Sequence, residues 1–149
     1  MTAIRKTRVV NLYQEDYDVY IGRAGRGFDG YFGNPFLPEG WHSSTERELA
    51  IAKYTEYFHR RVATDQTFAQ RVLDLRGCTL GCFCKPMPCH GDVIAEFVNT
   101  VKCTKCHSAP AETTIADVND SGGYRSPYHR LVCGLCCGQA IDTWYVSHT

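Results

Sequence analysis

Nine cysteines occupy positions 78, 82, 84, 89, 103, 106, 133, 136 and 137 of this 149-residue chain, and their spacing falls into two patterns. In the first, "CTKC" at 103–106 and "CGLC" at 133–136 form two CxxC knuckles separated by 26 residues. Each knuckle can turn two thiolates toward one ion, so Cys103, Cys106, Cys133 and Cys136 make the four-thiolate tetrahedral set that structural Zn²⁺ prefers. One zinc per chain is expected there. His107 and Cys137 adjoin the knuckles as substitute ligands, with Cys137 read as a spare thiol.

The second pattern is "GCFCKPMPCHGD", residues 81–92. A strand over "CTLGCFC" would place Cys78, Leu80, Cys82 and Cys84 on one face, because successive side chains alternate. Cys78 and Cys82 then serve as small core hydrophobes, while Cys84 sits at the strand's carboxyl end, where open α/β sheets bind ligands. After two prolines come Cys89, His90, Gly91 and Asp92, just before a helical pattern. Asp92 reads as the N-cap, and Gly91 as a place where a ligand can approach the backbone. Amide groups and the positive dipole end at a helix start stabilise an anion, whether a bound phosphate or a thiolate of Cys89. The residues leave three readings open: a catalytic or ligand pocket, a second metal site from Cys82, Cys84, Cys89 and His90, and a structural corner.

Composition sets the frame for these groups. Sixteen Lys plus Arg balance sixteen Asp plus Glu, so no field of one sign draws the chain to nucleic acid or a membrane. The basic start "MTAIRKTRVVNLYQ" lacks a signal peptide's apolar core, and no run of ~18 apolar residues occurs. A cytoplasmic protein is expected, the host cytoplasm if a phage encodes it, and in a reducing compartment dense cysteines imply metal or reactive thiols rather than disulfides.

The elements that must position the chemistry follow from periodicity. "TRVVNLYQEDYDVYIGR" reads as a pair of strands around the polar "QED". A long Gly- and Pro-rich segment, "AGRGFDGYFGNPFLPEGWHSS", follows. A helix capped by Ser43 or Thr45 carries the stripe Ala50, Tyr54, Tyr57, Phe58 and Val62. A second starts at Thr64 or Asp65, buries Phe68, Val72 and Leu75, and is ended by Gly77. With the cysteine-rich strand and a helix over "DVIAEFVNTV", residues 1–100 make an α/β or α+β layer domain, and 101–149 a small zinc-ribbon-like module. The 49-residue tail has too little apolar material to fold without metal. Its balanced charges suit a structural or protein-contacting appendage better than a nucleic-acid ribbon.

Two motif matches carry no weight. "GRGFDG" at 25–30 fits G-x-G-x-x-G, but "GYFGNPF" follows instead of the helix that dinucleotide binding needs. "NDS" at 119–121 has no meaning as a glycosylation acceptor in the cytosol. His42, His59, His129 and His148 are assigned no role. Tyr13, Tyr20, Tyr54 and Trp144 read as core or surface aromatics, not stacking platforms.

"TRVVNLY", "VYIGR", "FGNPF" and "LRGCTLGCFCKPMPCHGDVIAEFVN" together resemble an uncharacterised domain family of bacteriophages and bacteria. The resemblance covers about residues 7–99, departs from the family pattern in the longer insert "AGRGFDGY", and excludes the tail. It implies that Arg23, Asn34, Cys84, Cys89, His90 and Asp92 converge on one pocket. A guanidinium, an amide and a helix start suit a phosphate or carboxylate ligand with a heterocycle beside it.

The expected function is therefore a phage-type zinc protein whose α/β domain binds, and in one version processes, a nucleotide-like anion. In the enzymatic version Cys89 is nucleophile or anion-site thiolate, His90 general acid or base, and Arg23 an electrophilic clamp, with Asn34, Cys84 and Asp92 holding the ligand. One alternative is a non-catalytic module docking on a host protein or nucleic acid. Another is a redox or iron–sulfur protein.

Overall fold

The computed structural model describes residues 5–36, 43–104, 106–107, 109–116 and 129–133. The chain divides into two compact units, one formed by 1–59 with 75–99 and the other by 60–74 with 100–149. The first unit ends beside the composition change near residue 101. Segment 60–74 nevertheless groups with the tail rather than with its sequence neighbours.

The first unit is a small mixed α/β fold built on a parallel sheet of β1 (Arg8–Asn11), β2 (Val19–Tyr20) and β3 (Thr79–Cys82), in the order β1-β3-β2. The two N-terminal strands do not pair with each other. Each runs parallel to β3, with Val9 and Val19 both beside Leu80. β3 is buried throughout, as a central parallel strand must be. Asp18 anchors the return from β1 to β2 by accepting the Thr79 amide at 2.8 Å.

Helix α1 (Ser44–Thr64) contributes its residues up to His59 to this unit and buries Ala50, Tyr54 and Phe58 at i, i+4, i+8 spacing. Ser43 accepts the Glu46 amide at 3.4 Å at its start. Helix α3 (His90–Thr100) buries Ile94, Ala95 and Val98 and meets α1 through an edge-to-face Phe58–Phe97 contact at 5.4 Å. Asn99 grips Thr7 through two 2.9 Å backbone bonds, tying the end of α3 to the start of β1.

Gly91 lets the helix approach the sheet. A Cβ there would overlap the side chains of Ile21 and Val9. The approach is made by the sheet and not by a ligand, which corrects the role read from sequence. Gly91→Ala should therefore lower stability by about 1–3 kcal/mol in urea unfolding, since a packed interface must open to admit a methyl group. A loss within error of zero would contradict this packing.

In the second unit, Asp65 caps helix α2 (Gln66–Leu73) by accepting the Phe68 amide at 3.0 Å. The helix ends at Leu73, before Gly77, which instead takes a left-handed turn (φ +79°) after Leu75. β4 (Thr113–Ala116) and β5 (His129–Val132) pair antiparallel. Gln70 accepts the Thr114 amide and donates to the Glu112 carbonyl, fixing α2 to β4. No helix among the described residues is long and apolar enough to cross a membrane. His42, Cys136, Cys137, Trp144 and His148 lie outside the described residues.

Candidate functional site

The carboxyl ends of the three parallel strands open on a cavity of about 560 Å³. Arg23, Asn34, Cys82, Cys84 and His90 line it, together with Tyr13, Tyr20, Phe28 and Phe83. Four of the six residues expected to converge therefore do so. Cys89 and Asp92 do not line it, and the cause is local to the start of α3.

Cys89, not Asp92, occupies the N-cap position. Its Sγ accepts the Gly91 amide at 3.4 Å, and the Asp92 carboxylate reaches back to the Cys89 amide at 3.0 Å. This is capping-box geometry with a sulfur in the place of the usual hydroxyl. The Asp92 amide bonds the Cys89 carbonyl, and Lys85 pairs with the Asp92 side chain. The helix start is thus closed by its own residues rather than left open to a bound phosphate.

Cys82, Cys84 and Cys89 present sulfurs that all lie within 4.8 Å of one another, with Cys82 and Cys89 at 3.2 Å. β3 supplies Cys82, the following turn Cys84, and the cap of α3 Cys89. Cys82 and Cys89 are buried, while Cys84 is partly exposed. Hydrogen bonds from Cys82 and Cys89 hold the Cys84 thiol well below the usual thiol range. Hydrogen bonding to Cys82 and Cys84, then burial, pushes Cys89 up; Cys82 is also raised, chiefly by Cys84.

His90 is buried and placed edge-on to Tyr54, with ring centroids 5.1 Å apart. Its Nε2 lies 2.7 Å from the Ile21 carbonyl, which can only accept, so Nε2 carries the proton. Nδ1 is left as an acceptor 3.6 Å from Cys89 Sγ. Burial lowers its pKa, which keeps the ring neutral.

Arg23 donates from Nε to the Asn34 carbonyl and from Nη2 to the Phe36 carbonyl, both at 3.2 Å. Asn34 is itself buried; it donates to the Ala50 carbonyl and accepts the Phe36 amide. Both side chains brace the loop around the cavity as well as bordering it. The stretch "GRGFDG" folds as a two-residue turn of the I′ kind, in which Gly25 and Phe28 exchange backbone bonds and Arg26 and Gly27 take φ of 50° and 87°. The turn stacks Phe28 on Tyr20 at 4.0 Å and brings Arg26 Nη1 to the Tyr13 hydroxyl.

Sequence reasoning missed Tyr13, Tyr20, Phe28 and Arg26 as cavity residues. Tyr13 and Phe28 stay exposed despite their size, the one signal that could mark them, and exposure is invisible in a string of letters.

In the second unit, Cys103, Cys106 and Cys133 form another set of sulfurs within 4.8 Å of one another. The Cys106 amide points at Cys103 Sγ at 3.5 Å, and Cys106 and Cys133 sulfurs are 3.9 Å apart. The His107 amide bonds the Cys103 carbonyl, closing the knuckle turn. Cys136, the expected fourth ligand, lies outside the described residues. Both cysteine clusters could hold a metal ion.

A family model described as "Domain of unknown function (DUF4326)" matches residues 4–100. The chain is 41% identical over 95 residues to an "Uncharacterized 12.4 kDa protein in nrdA-td intergenic region" of Enterobacteria phage T4, covering 64% of this chain and 80% of that protein. No solved structure matches.

Proposed function

The chain belongs to this domain family of unknown function, and we propose that its α/β unit binds a small anionic ligand carrying a flat heterocycle, of the nucleotide kind, in a chain whose tail is held by zinc. The observation that carries this reading is the lining of the cavity. Arg23 and Arg26 contribute positive charge, Tyr13, Tyr20, Phe28 and Phe83 contribute ring faces, and no acidic side chain stands among the described lining residues. Arginine recognises phosphate oxygens, and exposed aromatic rings take up a base by stacking. Tyr13, Phe28 and Phe83 are among the large apolar side chains left exposed, which fits a rim waiting for a planar partner.

Any chemistry on that ligand would fall to Cys84 rather than Cys89, because Cys84 reaches the cavity while Cys89 caps the helix beneath it. His90 would act through Nδ1, since Nε2 is engaged by Ile21. In the tail, Cys103, Cys106 and Cys133 with Cys136 would hold the zinc that stabilises the second unit.

Calorimetric titration of the full chain with nucleoside monophosphates tests the reading. Saturable binding is expected, weakened by about tenfold in Arg26→Glu, the loss of about 1.4 kcal/mol that one charge-assisted contact supports. Absence of heat with every nucleotide, or an unaffected Arg26→Glu variant, would remove it.

A further inference from the structure

The two cysteine clusters differ in one respect that decides what each can do. In the tail, a second cysteine of the CGLC knuckle follows Cys133, so a closed four-thiolate site is available to the chain. In the α/β unit, the set with sulfurs within 4.8 Å of one another is limited, among the described residues, to Cys82, Cys84 and Cys89. Neither ring nitrogen of His90 belongs to it, although His90 follows Cys89 directly. Its Nε2 is committed to the Ile21 carbonyl, and this bond fixes the ring plane.

We infer that Cys82, Cys84 and Cys89 form a second, three-thiolate metal centre for a thiophilic divalent ion of the zinc class, with its fourth coordination position open to the cavity. Three observations converge. The sulfurs come from a strand end, a turn and a helix cap that the fold brings together without any disulfide among them. The cap places a backbone N–H on a sulfur, Gly91 to Cys89, as the tail knuckle places Cys106 on Cys103. Such N–H···S contacts favour the thiolate form a metal requires. Finally, Cys82 and Cys84 both border the cavity where a ligand would sit.

Three protein ligands and one vacant position are the arrangement that separates reactive zinc from structural zinc. Metal entry displaces the remaining S–H protons to solvent and leaves an M²⁺ ion with three thiolates, one net negative charge in all. A neutral donor such as an imidazole nitrogen can complete the shell without adding charge. The inference holds whether or not the cavity takes a nucleotide, and the titration with nucleotides above fails or succeeds separately.

Cobalt substitution of the full chain tests it. Co²⁺ alone, added to metal-free reduced protein, should fill two sites per chain with thiolate charge-transfer bands. Imidazole should then shift the d–d bands of one site only. Cys84→Ala should lose one equivalent of cobalt together with the imidazole response, while Cys106→Ala should lose one equivalent and keep that response. A single equivalent in the wild type would overturn the inference, as would two equivalents with a spectrum that imidazole leaves unchanged. The imidazole measurement needs no variant, so misfolding of Cys84→Ala does not blunt it.

Discussion

Chelation of zinc from the full chain should abolish amide-exchange protection across β4 and β5 while leaving α1, α3 and the parallel sheet protected. The second unit's described apolar cluster at the knuckle is only Cys103, Val132 and Cys133, with Ala109 packed beside it. Phe68, Ala69, Val72 and Leu73 of α2 are also buried in this unit, but a cluster as small as that at the knuckle does not offset the entropy of ordering the chain immediately around it. A structural zinc supplies roughly 10–16 kcal/mol of binding free energy in small metal domains, more than the stability of most domains. The α/β unit has no such dependence, since Tyr54, Phe58, Leu80, Ile94 and Val98 are all essentially inaccessible. Undiminished protection of β4–β5 in protein verified to be metal-free would contradict this account of the tail.

How much of this could be read from the letters depends on the range of the interaction. The stripe Ala50, Tyr54, Phe58 and the cap at Asp65 were legible because both are encoded within a few residues. The placement of β1 and β2 on opposite sides of β3 was not, because it is decided by pairing across some 60 to 70 positions. At the start of α3 the local rule misled. Aspartate is a favoured N-cap, yet here the sulfur of Cys89 caps and Asp92 serves from the third helical position. The family resemblance implies Asn34 and Arg23 as ligand groups. Their bonds to Ala50, Phe36 and Asn34 itself show that they also build the loop, a role only the tertiary structure reveals.

His90→Ala should lower the stability of the first unit by about 3 kcal/mol, the second large effect expected. The substitution empties a buried site beside Tyr54 and strips the Ile21 carbonyl of its donor. Large-to-small core changes cost about 2–5 kcal/mol, and a buried carbonyl left unpaired adds about 1–3 kcal/mol before local relaxation reduces the sum. His90→Phe keeps most of the volume but not the donor, and should cost about 1–2 kcal/mol. The pair of values from urea unfolding separates packing from hydrogen bonding. Equal losses in the two variants would mean that the bond to Ile21 dominates; no loss in either would mean that His90 is not the anchor described. Because Nε2 is held by the Ile21 carbonyl, Nδ1 faces Cys89 Sγ and the ring is well placed to orient that thiol.

The account rests on the separation of the cysteines into two metal centres, one closing the tail and one facing the cavity. Anomalous diffraction at the zinc edge, from crystals of zinc-replete full-length protein, tests it most directly. Two anomalous peaks per chain are predicted, one among Cys103, Cys106 and Cys133 and one among Cys82, Cys84 and Cys89. A single peak at the tail, with the sulfurs of Cys82, Cys84 and Cys89 bare, would contradict it.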